Sequence, residues 1–468
     1  MVIIADAEVA GHRVDVRIDG GRITEIGRRL CGAPVVGAAG GALIPGLHDH
    51  HLHLLALAAS MTSVAVSPEA AGNGAGLRAA LNAASGSWIR ATGYHDSVAG
   101  PLDRDVLDRL EPRRPVRVQY ATGSLWVLNS AALRLVLPPG DLPPCVERDA
   151  VGAPTGRIWR GDDWLRGRLP ADPPDLGAVG ALLARHGVTG VTDTSATTGT
   201  AQASLFAAAV QSGNLPQRLT LMSGGRLTAA PEYAVGSVKI LLDDHDLPDI
   251  DDLVGRIRQA RAWGRPVAVH CVTAGELAII LAAFDVEATR PGDRIEHGGV
   301  IPVEAIPELR RLGLTVVTQP GFIAERGDRY VREVDPVDLP DLYRCASLIR
   351  AGVAVAGSTD APYSAPDPWS AVAAAISRRT RSGRTIGWDE ALPPEAALDL
   401  FLGSAEHPAI PRRIAVGMPA DLCLLRLPLC EALAAPHAHN VAATLIGGRA
   451  VYQAEPLFEP QETAGVLP

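Results

Sequence analysis

PGLHDHHLH, residues Pro45–His53, opens on a proline–glycine bend and then places four histidines within six residues. Read as a strand, the stretch points Asp49, His51 and His53 to one side, because alternate side chains share a face. His51 and His53 can then grip one metal ion together. His48 and His50 have the opposite parity and are expected to face outward or into a flanking domain. Solvated histidines at a polar strand end are the plain alternative, and four at one strand end speak against it.

Outward from this stretch, short apolar runs alternate with helical ones, the pattern of parallel βα units. Strands are read at His48–His53, Gly187–Asp193, Arg218–Met222, Ser237–Leu242, Val267–Cys271, Arg294–His297, Thr315–Gln319 and Val353–Thr359. Eight is the number a closed (β/α)8 TIM barrel needs. PDIDDLVGRIRQARAWG is a helix between two of them, with acidic residues at its start and arginines at its end, as the helix dipole favours. The acidic run Asp243–Asp252 is accordingly read as a solvated loop and helix cap, not a metal site.

Roughly 130 residues separate the first two strands, far more than a βα link requires. Residues 54–174 are therefore an insertion after the first barrel strand. At the two chain ends, RVDVRIDGGRITEIG, GMPADLCLLRL and ATLIGGRAVYQ read as short strands with glycine turns. The expected organisation is α/β: a small, discontinuous β-sandwich domain from 1–47 and 406–468, and a barrel over 48–405 that includes the insertion.

GSVKILLDD carries Lys239 on the fourth strand, the only lysine in a chain with 42 arginines. A lysine between Val238 and Ile240 must find a partner or lose its charge, since burying an unpaired ammonium is strongly unfavourable. Its neutral amine can take up carbon dioxide and become an anionic carbamate with two ligand oxygens. Arginine stays protonated and cannot. A lysine reaching to the rim to pair with Asp243 or Asp244 is the structural alternative.

His270 ends the fifth strand, His297 the sixth, and Asp360 follows the eighth. Singly, each histidine would ordinarily be a hydrogen-bonded core residue. Together they fall at the carboxyl face of the barrel, where catalytic groups gather, and neutral imidazoles with carboxylates suit zinc or a similar divalent ion.

Composition narrows the partners. A net charge of -9, a pI near 5.8 and no basic run argue against nucleic acid and anionic membranes, leaving a small-molecule substrate. No stretch is long and apolar enough to span a bilayer. MVIIADAEVAGHRVDVRIDGG lacks the shape of a signal peptide. Six scattered cysteines without a C-x-x-C pair fit a reducing cytoplasm. A homo-oligomer stays open.

The full set resembles the amidohydrolase superfamily in its binuclear, carboxylated-lysine form. The resemblance runs through Asp49, His51 and His53 as D-x-H-x-H, then Lys239, His270, His297 and Asp360, and extends to GMPADLCLL at Gly417–Leu425. Within it the chain is similar to the amidohydrolase-3 branch, whose members include N-substituted formamide deformylase. GYHD (Gly93–Asp96), LWVLNSAAL (Leu125–Leu133) and GAPTGRIW (Gly152–Trp159) carry that likeness. Thr122-Gly123-Ser124 departs from the branch's Asp-Gly-His, and Cys271-Val272-Thr273 from its Gly-Asp turn.

The resemblance implies that His51 and His53 bind one zinc, that His270 and His297 bind the other, and that carboxylated Lys239 bridges the two. Ions about 3.5–4 Å apart would bring a bridging water to near-neutral pKa. Asp360 would take its proton during attack and pass it to the leaving group. Hydrolysis of an amide, formamide, carbamate or cyclic imide by the metal-bound hydroxide is expected. A deaminase, for which only Glu276 offers a carboxylate near the fifth strand, or a lyase or decarboxylase on the same barrel are the alternatives, ahead of a non-catalytic metal-binding protein. Tyr94, Trp126, Trp164, Gln319, Arg326 and Tyr330 are the candidate substrate contacts.

Overall fold

The computed structural model describes residues 1–137, 142–169, 174–244 and 246–454. Two compact units emerge, one from Met1–Leu54 with Leu176–Pro468 and the other from Leu55–Asp175.

In the first unit, eight strands form one parallel sheet in chain order: Leu47–Leu52, Val188–Asp193, Arg218–Ser223, Ala234–Ile240, Val267–Cys271, Arg294–His297, Thr315–Thr318 and Ala354–Gly357. All residues of the first, second and sixth strands are buried, as expected where helices cover one face of a parallel sheet and the barrel interior the other. The fifth and sixth strands match their expected bounds, and the others differ by one to three residues at an end. The expected helix is found at Ile250–Ala262, capped by Asp249, whose side chain accepts the Asp252 N–H at 2.8 Å.

The sheet closes to a barrel at a seam between the first strand and the residues after the eighth. Asp360 N donates to His51 O at 2.8 Å and His53 N to Ala361 O at 2.8 Å. Asp49 reinforces the seam by accepting the Thr359 N–H at 3.1 Å and the Thr359 hydroxyl at 2.5 Å.

The same unit carries two four-stranded sheets. One orders Arg22–Gly27, His12–Asp19, Val2–Val9 and Val35–Gly37, and the other Arg449–Gln453, Val441–Ile446, Leu422–Leu425 and Leu43–Pro45. Gly20 and Gly21, with φ of 55° and 77°, supply the left-handed turn between His12–Asp19 and Arg22–Gly27. Ile4, Val16, Ile18 and Ile23 pack against Leu422, Leu424, Ala443 and Leu445 in one core. Each such burial contributes roughly 1.5–3 kcal/mol, so this shared core holds the two ends of the chain together.

The second unit is built on a six-stranded sheet ordered Val146–Arg148, Pro154–Trp159, Leu125–Leu128, Val116–Tyr120, Ile89–Tyr94 and Val64–Ala65. Its last three strands in that order are parallel and the rest antiparallel. A core of Leu77, Leu81, Leu107, Val116, Val118 and their neighbours supports it. The insertion thus has an interior of its own. No described helix is long and apolar enough to cross a membrane.

Candidate metal centre

His51 lies within the first barrel strand and His53 one residue past it, so strand alternation sends both imidazoles the same way. Their ring centroids are 5.4 Å apart. His270 and His297 arrive from the fifth and sixth strands with centroids 4.6 Å apart, and His51 and His297 stand at 4.7 Å. Asp360 meets this group from across the seam. Its Oδ1 lies 3.5 Å from His51 Nε2 and 3.3 Å from His53 Nε2, and its Oδ2 lies 3.8 Å from His297 Nδ1. One donor atom each from His51, His297 and Asp360 fall within 4.8 Å of one another.

Three of the histidines have Nδ1 engaged from outside the cluster. Glu296 accepts from His51 Nδ1, Ser195 Oγ sits 3.0 Å from His53 Nδ1, and Gln319 Oε1 sits 2.9 Å from His297 Nδ1. A proton on Nδ1 leaves Nε2 with its lone pair, the tautomer a metal ligand needs. Burial, with the neighbouring Lys239 and other rings and cations, holds His51 well below the ordinary histidine value. His297 is lowered by burial and by His270, His51 and Lys239. Both are therefore neutral near pH 7.

Lys239 is 3% exposed and its Nζ makes no hydrogen bond among the described residues. Burial pulls its amine down to about 8, against the opposing pull of Glu296 and Asp360. Glu296 does not neutralise it by contact, because that carboxylate is already held by Arg294 and His51. The rim pairing with Asp243 or Asp244 is not what the structure shows. His51 Nε2 and Asp360 Oδ1 are likewise buried without a hydrogen-bond partner. Unsatisfied buried donors and acceptors are rare and costly. Three of them on neighbouring side chains of this type fit a cation-binding cluster.

His297 and Asp360 adopt left-handed backbone, with φ of 71° and 58°. Non-glycine residues avoid that region, and such strain gathers at functional sites.

Sequence reading missed Arg294, Glu296 and Ser195. An Arg and a Glu two apart on the sixth strand, sharing a face, were the available signal for the first two. Asp193, fully buried, orients Ser195 by accepting its N–H at 3.1 Å.

The expected substrate contacts fare differently. Gln319, fully buried, bridges His297 and Ser358, donating to Ser358 Oγ at 2.9 Å. Both ends of its amide are engaged by protein groups, one of them the His297 ring. Tyr94 is completely buried in the core of the second unit and its hydroxyl donates to Gly100 O. Its side chain is a packing element there. Trp126 and Trp164 share another core of that unit. Trp126 Nε1 donates to Asp162 at 2.8 Å, and Arg168 lies over the Trp164 ring at 4.6 Å. Arg326 and Tyr330 remain partly exposed on the helix Gly321–Glu333.

His48 and His50 lie on the opposite side of the first strand, stacked with centroids 4.5 Å apart, and His48 meets Thr192 Oγ1 at 2.9 Å. His48 also lines a cavity of about 450 Å3 between the starts of the second to fourth strands and the terminal sheets. The arginines lining that cavity are already engaged. Arg218 pairs with Asp421 and Arg413 with Asp399, while Arg412 binds carbonyls.

A parallel barrel with imidazoles and a carboxylate converging at its carboxyl face defines the class of metal-dependent hydrolases. The chain belongs to the amidohydrolase family, whose model matches residues 34–452. It is 25% identical to YtcJ of Bacillus subtilis (strain 168), an amidohydrolase by name, over 88% of this chain and 89% of that one. It is 26% identical to the N-substituted formamide deformylase of Arthrobacter pascens, over 84% and 85% respectively. In fold it is similar to an uncharacterized metal-dependent hydrolase from Pyrococcus horikoshii OT3, with a TM-score of 0.73 and 20% identity over 93% of this chain and 99% of that one. It is an amidohydrolase, an enzyme acting on carbon–nitrogen bonds other than peptide bonds.

Proposed function

We propose that the enzyme hydrolyses an amide-like C–N bond of a small molecule, an amide, formamide, carbamate or cyclic imide. Two divalent ions, zinc by the chemistry of the donors, would be held by His51, His53, His270, His297, Asp360 and a carboxylated Lys239. The observation that carries this reading is the trio of buried atoms without partners, His51 Nε2, Lys239 Nζ and Asp360 Oδ1. When bound, such ions supply Lewis acidity, which polarises a carbonyl and acidifies water.

The chain's own groups do the rest. The Lys239 nitrogen adds to the carbon of carbon dioxide and loses a proton, so that an amine becomes an anion with two oxygens. Glu296, Ser195 and Gln319 keep Nε2 of three histidines directed at the cluster. Asp360 accepts the proton of the attacking water and delivers it to the departing nitrogen.

The deaminase alternative needs a carboxylate near the fifth strand, and Glu276 is committed elsewhere. It accepts the Val272 and Thr273 N–H groups at 2.5 and 3.0 Å as part of a capping box. All six cysteines are free thiols, which supports a reducing, cytoplasmic setting.

Metal analysis of the purified protein beside Lys239→Ala tests the reading, with and without bicarbonate or a short carboxylic acid. About two metals per chain, loss in the variant and partial rescue by the acid are expected. A variant that holds metal as well as the wild type would overturn it.

A further inference from the structure

Arg326 is a guanidinium without a counter-ion beside the cluster. It sits one helical turn beyond Phe322, its charge 4.0 Å from that ring's centroid, and donates one N–H to the carbonyl of Tyr363. No ion pair of Arg326 occurs among the described residues. Guanidinium carries five N–H donors, so most of its capacity is unused.

The buried Arg378 shows what a structural arginine looks like in this unit. Fully buried, it donates to the carbonyls of Ile386, Tyr343 and Leu342. Those bonds hold Tyr343 at a left-handed φ of 46°, and its hydroxyl lies 3.2 Å from that of Tyr330. Tyr343 is within electrostatic reach of both Arg326 and Asp360. Arg326 is thus next to a fixed pair of hydroxyls, one of which can donate outward.

Tyr363 links the guanidinium to the cluster. Its N–H donates to Asp360 O at 2.8 Å, and its ring stands edge-on to His53 with centroids 5.5 Å apart. A group bound by Arg326 would therefore lie a single residue's width from the ligand side chains. Half-burying an uncompensated cation is unfavourable. A planar, forked donor matches a carboxylate in two parallel bonds.

We propose that Arg326, flanked by Tyr330 and Tyr343, receives a substrate carboxylate a few bonds from the scissile nitrogen, so that the substrates are N-acylated amino acids. The identity of the cleaved bond rests on the hydrolytic reading above, whereas the anion site does not.

The test pairs N-formyl- and N-acetyl-leucine with the matching leucinamides, which differ only in charge and carboxylate. For the metal-loaded enzyme, kcat/KM should favour the acids by roughly tenfold or more. Arg326→Met should collapse that ratio mainly through KM, and Arg326→Lys should keep part of it. Equal use of acid and amide, or a ratio unchanged in Arg326→Met, would overturn the proposal. If the loaded enzyme cleaves neither, the assignment of N-acylated amino acids as substrates is overturned while the hydrolytic reading stands, and calorimetry on metal-free protein decides the anion site alone. Binding of N-acetyl-leucine but not its amide, abolished in Arg326→Met, supports the site. Equal or absent binding of the two overturns it.

Discussion

Glu296 holds the Nδ1 side of His51 with one oxygen while Arg294 holds the other, and all three side chains are almost completely buried. Burial alone would raise the Glu296 carboxyl; Arg294 and Lys239 overcome this and hold it below the usual glutamate value. It is therefore an anion that accepts, and His51 donates.

Glu296→Gln keeps the shape and removes the charge. Metal affinity should fall about 10- to 100-fold, as it does when the outer partner of a ligand histidine is lost. Competition between the metal-free protein and a fluorescent chelator measures this directly. Wild-type affinity in the variant would mean that His51 is oriented by something other than Glu296.

Glu276 separates amide-bond hydrolysis from deamination. Burial raises its carboxyl, and the N–H bonds of Val272 and Thr273 oppose that without reversing it. If its role is to cap a helix, Glu276→Gln should cost about 1 kcal/mol of stability and leave kcat within about twofold. If the carboxylate instead moves protons, kcat should drop by about 10²–10⁴. Steady-state rates beside a urea titration distinguish these outcomes.

Glu390 gives a pH signature far from the cluster. Burial pushes its carboxyl up, but Ser347, the Cys345 N–H and Arg344 together bring it below the ordinary glutamate value. Oε2 accepts from Cys345 N and Ser347 N at 3.0 Å each, and Oε1 from Arg344 Nη1 at 2.7 Å. A depressed carboxyl stabilises the fold above its unfolded pKa, and that stability disappears as pH falls through the folded value. Glu390→Gln should lose about 2 kcal/mol at pH 7, with the gap to wild type narrowing below about pH 4.5. Urea midpoints measured from pH 7 down to pH 4 give the profile. A gap independent of pH would assign the loss to packing, not charge.

What could be read from the chain follows from how locally each signal is written. The eight strands were legible because apolar runs and helical stretches carry their own period. Lys239, His270 and His297 were visible as polar residues interrupting apolar strands. Glu296 and Ser195 were not, because their meaning lies in partners 245 and 142 residues away. Gln319 is legible as a polar residue at a strand end, but spacing alone does not show His297 beside it. Tyr94 was singled out for being an aromatic in the insertion, and its burial depends on a sheet whose strands had not been recognised. Asp49 shares a face with His51 and His53 yet binds Thr359, a division of labour invisible until the seam is drawn.

That seam has a consequence for the life of the chain. Asp49 and Thr359 are 310 positions apart, and the ligand side chains they bring together come from opposite ends of the barrel sheet. A nascent chain that has emitted His51 and His53 lacks Asp360 until most of the protein has been translated. Contacts of such range form late and slowly, and metal affinity develops with the fold that creates the site. Metal uptake would thus serve as a proofreading mark: truncated or misclosed chains would lack the assembled site, and an occupied one would show that the barrel was finished.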